Sequence, residues 1–401
     1  MPTQAKEPSP AAKQRHELIR AIEAERGSRV ITYFLSDRRE GVQAQVAEDA
    51  VRPIYDHLRA VGPAKKIDLF IYSVGGLTDV PWRIVTTIRE FAGNFAVLVP
   101  YKALSAATMI ALGADEIVMG RKGELGPIDP LLSVQRGGEG GTIVQEQVAI
   151  EDIMSYVRFV REKVGLSDQS ALAGPMSALA EKLGPHVLGQ VNRAHSHIRS
   201  VARKLLTARS KQAPPDEQRI QVIVEALAEK TYQHGHAIGR LEAQEIGLRV
   251  VRARDQQETL MWQLYEAYEE LCALRRPIDP RTFIPASQDE HVEPVTMGCI
   301  ESSAMSHHFT ADLKGRVRRQ MPPQLTLSLN FSLQLPPGAQ AQQLGANAQQ
   351  IIQQMLQQVQ LQAQALIQQE LRNQMPVVGL ELWTQNGAWQ RMDDWPLQRD
   401  A

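Results

Sequence analysis

Two short apolar runs, Ile67 to Ser73 and Ala96 to Pro100, constrain this chain most. Both are rich in β-formers and apolar almost throughout, as a strand buried on both faces of a parallel sheet must be. Gly75-Gly76 stops the first run and Pro100 ends the second. Between them, Val80 to Phe91 repeats apolar residues at helical spacing. The unit is strand–helix–strand, and such a pair takes a right-handed crossover. Upstream, Arg29 to Leu35 reads as a strand and Ser36 to Gly41 as a turn. Gln45 to Val61 reads as an amphipathic helix with Val46, Val51, Ile54, Tyr55 and Leu58 on one stripe. Glu116 to Met119 is another short strand, and the alternation predicts an α/β domain.

Ser105 is the candidate nucleophile. It follows the second buried strand by a short turn and opens a small-residue helix, Ala106 to Leu112. A serine placed there stands at the carboxyl edge of the sheet, beside the unpaired first N–H groups of the helix. Glycine lets a backbone N–H approach a reacting carbonyl closely. Gly75 or Gly76, joined by Ala106, is therefore a candidate oxyanion hole. The plainer reading is that Ser105 caps the helix and the glycines only turn the chain.

The words VITYFLSDRREG (30–41), IDLFIYSVGG (67–76), PWRIVTTIREF (81–91), VPYKALSAATMIALGADEIVMG (99–120) and GELGPIDP (123–130) resemble the Clp protease/crotonase superfamily. Within it they are closest to the serine dehydrogenase proteinase, or SDH-type serine protease, family. EAQEIGL (242–248) resembles the closing helix of the same fold, so the likeness covers roughly residues 29–255. It implies a βαβ spiral domain in which a Gly-Gly turn supplies the oxyanion hole and a serine heads the next helix. It also implies a homo-oligomer, since relatives assemble as trimers, tetramers or stacked rings.

The general base stays open at this level. In a Clp-type fold the loop at Gly120 to Pro130 carries the catalytic histidine, but no histidine lies between residues 58 and 185. Asp129 is the nearest counterpart. The third Clp triad member precedes a helix comparable to the one after His234 and His236, so a rearranged set is one possibility: Ser105 as nucleophile, His234 or His236 as base, Asp129 as orienter. Nucleophile–base–orienter logic does not depend on chain order. Signal-peptide-peptidase relatives use a Ser–Lys dyad instead. Lys102 is then the local base, with Lys163 and Lys122 behind it, provided burial lowers the ammonium toward neutrality.

The remaining chain sets limits. Its 401 residues allow two or three domains, and 44 basic against 45 acidic residues give no excess that would favour nucleic acid or an anionic membrane surface. Cys272 and Cys299 make neither a disulfide framework nor a zinc pattern, and read as buried or semi-buried thiols in a reducing cytoplasm. No run is long and apolar enough for a membrane span, and no metal or cofactor is expected. The domain expectations are a tail and helix over 1–28, the Clp/crotonase-like domain over 29–255, a helix and linker over 256–289, and a small α+β module over 290–401. Residues 1–12 read as disordered, with a helix over His16 to Arg26; 135–142 read as flexible, with a helix over Gln145 to Val164. In the C-terminal module, Leu325 to Leu335 alternates as a strand, Gln340 to Asn373 is a Gln-rich helix, and Asn386-Gly387 reads as a hairpin turn. His307-His308 reads as a solvated pair, and the module is expected to bind a partner protein, a substrate or another copy.

Together these readings predict a cytoplasmic, ATP-independent serine peptidase acting on peptide or protein. The alternatives are a catalytically weak scaffold and, third, a crotonase-type acyl-CoA enzyme.

Overall fold

Parallel pairing of strands β1 (Arg29–Leu35), β2 (Ala64–Tyr72) and β3 (Ala92–Val99) makes the centre of the main sheet. A computed structural model of the chain describes residues 7–38, 41–129, 131–137, 143–208, 216–230, 235–285, 288–321, 353, 356–364, 366–367 and 375–396. Ile31 pairs with Leu69, and Leu69 with Val97, and all three are fully buried. Each such side chain contributes roughly 1.5–3 kcal/mol on leaving water. Crossovers run through α2 (Val51–Val61) and α3 (Val80–Arg89). After β3 come β4 (Lys102–Ala103), α4 (Ala106–Leu112), β5 (Glu116–Met119) and β6 (Glu124–Leu125).

The hairpin β7 (Leu131–Gly137) and β8 (Ile143–Ala149) follows. It leads to helices α5 (Ile150–Glu162), α6 (Gln169–Leu183), α7 (Pro185–Thr207), α8 (Glu217–Glu225) and α9 (Arg240–Ile246). Gly247, at φ 103°, ends α9 as a left-handed cap. The chain closes the parallel part of the sheet with β9 (Val250–Arg252), then continues through α10 (Asp255–Leu271) and a short α11 (Pro280–Phe283). The last strands are β10 (Glu290–Ser302), β11 (Ser306–Arg319) and β12 (Val377–Arg391). The sheet order is β12-β11-β10-β1-β2-β3-β5-β9, with β10 antiparallel to β1. This is an α/β fold, and its C-terminal strands extend the main sheet.

The chain packs as two units. The first holds Met1–Pro277, Pro294–Asp312 and Thr384–Ala401; the second holds Ile278–Glu293 and Leu313–Trp383. Within the second, Glu290 pairs with Lys314 and Arg316, and both cations lie over the Trp383 ring.

Several expectations change. The first helix, α1 (Pro10–Arg26), begins inside the stretch read as disordered, because Ser9 accepts the Ala12 N–H as N-cap. Gln45 to Ala47 is not helical: Val46 bridges to Gly76, and α2 starts only at Val51. Residues 135–137 pair with 143–145 in a ladder that runs on to 149, where the sequence reads as flexible over 135–142 and as helix from Gln145. Tertiary pairing there overrides local propensity. Asn386-Gly387 makes no hairpin. β12 runs through it, with Asn386 at φ 57° bonded to Asp312 at 2.8 Å, and Gly387 letting the strand lie against the Phe309 ring. The predicted strand 325–335 lies outside the described residues, as does most of the Gln-rich helix; 356–364 and 366–367 are helical.

His307 and His308 are buried, not solvated. His308 bonds Glu301 at 3.3 Å, and Glu301 accepts three further bonds from Arg15, one from Tyr268 and one from Ser306. His57 joins Ser302 at 2.9 Å and His307 at 3.0 Å. A two-residue hydrophilic run gives no local sign that polar partners elsewhere in the chain will satisfy it inside. Cys272 and Cys299 are both buried, as expected.

Candidate active site

Ser105 stands in a conformation that few serines adopt, φ 51° and ψ −115°. A positive φ outside glycine stores strain, and serines on sharp strand-to-helix turns present their hydroxyl in this way. The side chain is half-buried. It does not cap its helix, and it makes no hydrogen bond among the described residues. The cap reading is therefore excluded, and the hydroxyl is neither sealed in nor claimed by another described residue.

A small ladder fixes that turn. Ser73 bridges Ala103, with Ser73 N–H on Lys102 O and Leu104 N–H on Ser73 O, both at 3.0 Å. Ala103 pairs with Leu125, and Leu125 with Ile238. Thr108, fully buried on α4, donates to Ala103 O at 2.7 Å and accepts the Gly126 N–H at 3.0 Å. The serine is held from the strand side by Ser73 and from the helix side by Thr108. Sequence reasoning passed over both.

The glycines face the serine. Gly75 has φ 114°, and a Cβ there would lie 2.7 Å from Ser105 Cβ and 3.1 Å from its Oγ. Gly76 has φ 154°, and a Cβ there would overlap the Val46 backbone at 2.3 Å. The two differ in what their N–H groups do. Gly75 donates to Ser73 Oγ at 3.0 Å. Gly76 N–H and Ala106 N–H have no acceptor among the described residues. Val46 holds the loop from its other edge, donating to Gly75 O and accepting from Leu77 N–H, each at 2.8 Å.

The candidate bases are less gathered. Lys102 Nζ donates to Asp37 Oδ2 at 2.7 Å and lies 5.0 Å from the Tyr101 ring centre. Its Nζ is therefore engaged by a carboxylate rather than by Ser105. Asp37 belongs to the SDRREG word and was not singled out as a site residue. Lys122 is exposed and pairs with Glu124, and Lys163 is exposed past the end of α5. Asp129 is buried and partnered. His234 lies outside the described residues. His236 is exposed and bonds Glu242 at 2.8 Å, so the carboxylate on this imidazole is Glu242. The bridge from Ile238 to Leu125 places that loop two strand spacings from Ala103, roughly 10 Å. No group of three or more His, Cys, Asp or Glu among the described residues could hold a metal ion. No helix among them is long and apolar enough to cross a membrane.

A mostly parallel sheet with a serine at a strand-to-helix turn, packed against a Gly-Gly turn, defines the class as α/β. More particularly, residues 4–146 match the family described as ClpP-like SDH-type serine proteinase. Two uncharacterized proteins of Methanocaldococcus jannaschii, MJ1495 and MJ0137, are each 32% identical, over 128 and 127 residues. Each match takes in 29% of this chain, and 42% and 43% of the respective relative, so this chain spans less than half of their length. Two solved structures are similar, both of the 1510-N membrane-bound stomatin-specific protease. A serine-to-alanine variant has 16% identity and TM-score 0.33, covering 58% of this chain and 84% of its own. A lysine-to-alanine variant with a substrate peptide has 17% and 0.32, covering 58% and 78%.

Proposed function

We propose that the protein is a serine peptidase whose Ser105 attacks a peptide carbonyl. The observation carrying this reading is the pairing of a strained, unoccupied Ser105 hydroxyl with the unclaimed N–H groups of Gly76 and Ala106. An oxyanion forming beside Ser105 needs donors of that kind, fixed in advance. Ser73 then serves as a positioning residue that keeps Gly75 N–H out of the way. The match of residues 4–146 to a serine proteinase family supports the same chemistry.

For the base, the Lys102–Asp37 pair argues against lysine, since its Nζ is already bonded to a carboxylate at 2.7 Å and makes no bond to Ser105 among the described residues. The loop carrying His234 and His236 is the better source, with Glu242 rather than Asp129 as the orienting carboxylate of His236. Peptide or protein is the proposed substrate and a homo-oligomer the proposed assembly. A fluorophosphonate probe tests the reading. Wild type labels at one site, mapped to Ser105, and Ser105→Ala does not. A folded wild type that neither labels nor cleaves unstructured peptides would favour the scaffold reading.

A further inference from the structure

Three buried side-chain polar atoms among the described residues have no hydrogen-bond partner: Tyr33 Oη, Arg89 Nε and Trp389 Nε1. Two of them belong to rings in contact, with Tyr33 and Trp389 centroids 6.4 Å apart. Buried donors left unsatisfied cost about 1–3 kcal/mol each, so a native pair needs an explanation. Trp389 lines a cavity of about 300 Å³ in the first unit. Its apolar walls include Leu35, Met297 and Phe309, and Gln43, Gln45 and Asp49 add polar groups. That volume is at the small end of ligand sites.

The chemistry narrows the occupant. An indole N–H can only donate, so the missing partner at Trp389 is an acceptor. Asp49 in the lining disfavours an anion. The apolar walls ask for an alkyl or aromatic group. We propose that this cavity binds a neutral, carbonyl-bearing apolar ligand about the size of one capped hydrophobic amino acid. Its carbonyl oxygen accepts from Trp389 Nε1. Gln43, Ala44, Gln45 and Ala47 supply one side of the cavity, and Val46 between them holds Gly75 O and Leu77 N–H. An occupant therefore steadies the loop that presents Gly76, a consequence that rests on the peptidase reading.

N-acetyl-L-leucinamide is the probe. In the full-length protein, the Trp389 indole resonance, assigned by its loss in Trp389→Phe, is expected to shift saturably on titration. Anionic N-acetyl-L-leucine binds more weakly. Ala47→Leu, which fills the cavity, lowers the calorimetric affinity about tenfold or more, and Trp389→Phe does likewise. An indole resonance indifferent to the probe marks a water-filled cavity and overturns the proposal, as does unchanged affinity in both variants. The rate of fluorophosphonate labelling with and without probe separates the two readings. Binding without any labelling of Ser105 removes the peptidase and leaves the cavity assignment standing. Labelling at a rate the probe does not change removes only the coupling.

Discussion

Gly75 and Ser105 approach so closely that a single added carbon on Gly75 would stand 2.7 Å from the serine Cβ. No real Cβ sits at that distance. The glycine is thus required by its neighbour as well as by its own φ of 114°. Gly75→Ala is expected to push the Ser105 turn out of place and to cost about 1–3 kcal/mol or more. Urea unfolding should register the loss, and fluorophosphonate labelling should fall further than stability. A variant that labels like wild type would contradict the tight packing.

Removing the Ser73 hydroxyl leaves Gly75 N–H without its acceptor. Ser73→Ala is expected to slow labelling of Ser105 about ten- to hundredfold, since small misplacements near a reacting centre carry penalties of that order. The far-ultraviolet spectrum should change little, because the Ser73 backbone bonds to Lys102 and Leu104 remain, while stability falls by about 1–3 kcal/mol for the buried Gly75 N–H.

Lys102 offers a sharp comparison with His236. If the ion pair with Asp37 is structural, Lys102→Met keeps labelling within a few-fold, whereas His234→Ala or His236→Ala lowers it by about 10²–10⁴. A reversal of that order, measured as pseudo-first-order labelling rates, would make lysine the base.

The Arg15–Glu301 pair is sealed, with side chains 4% and 0% exposed. Breaking a buried pair from one side leaves an uncompensated charge and costs about 3–5 kcal/mol. Arg15→Met is expected to show that loss in chemical denaturation. Glu301→Gln is expected to show a loss of the same order, because it leaves the Arg15 guanidinium uncompensated and its one amide oxygen cannot replace both the Oε2 that Tyr268 uses and the Oε1 that Ser306 uses.

Acid should weaken the fold through His57. Burial first, then neighbouring His307, lowers its imidazole from 6.5 to about 3. Between these values the unfolded chain binds a proton that the folded chain refuses, so this contribution to stability falls as pH drops from about 6.5 toward 3. Glu301 acts in the same direction. Burial would raise its carboxyl, but Arg15 and His308 overcome that and hold it at about 2, and its share is lost as pH falls below about 4.5. His308 opposes them: burial lowers it, Cys299 and Glu301 raise it further, and its stabilising share fades as pH rises above about 6.5. Urea unfolding between about pH 7 and pH 5 should give a positive slope of stability with pH, and His57→Leu should flatten it. An unchanged slope in that variant would place the acid sensitivity elsewhere.

What the sequence by itself determined was whatever depends on near neighbours in the chain. Buried strands at Ile67 and Ala96, the helix between them, the serine at a strand-to-helix turn and the cap at Gly247 are all set by local pattern and backbone chemistry. The choice between Gly75 and Gly76 as donor was not of that kind. It turned on Ser73 Oγ claiming one N–H and Val46 gripping the loop from a segment that reads as helix. Likewise, Lys102 looked available until Asp37, 65 residues earlier, came to lie against it, and His307-His308 looked wet until Glu301 and His57 took them inside. Only the tertiary structure decides such cases, because a donor's role depends on which acceptor reaches it, and those acceptors come from distant parts of the chain.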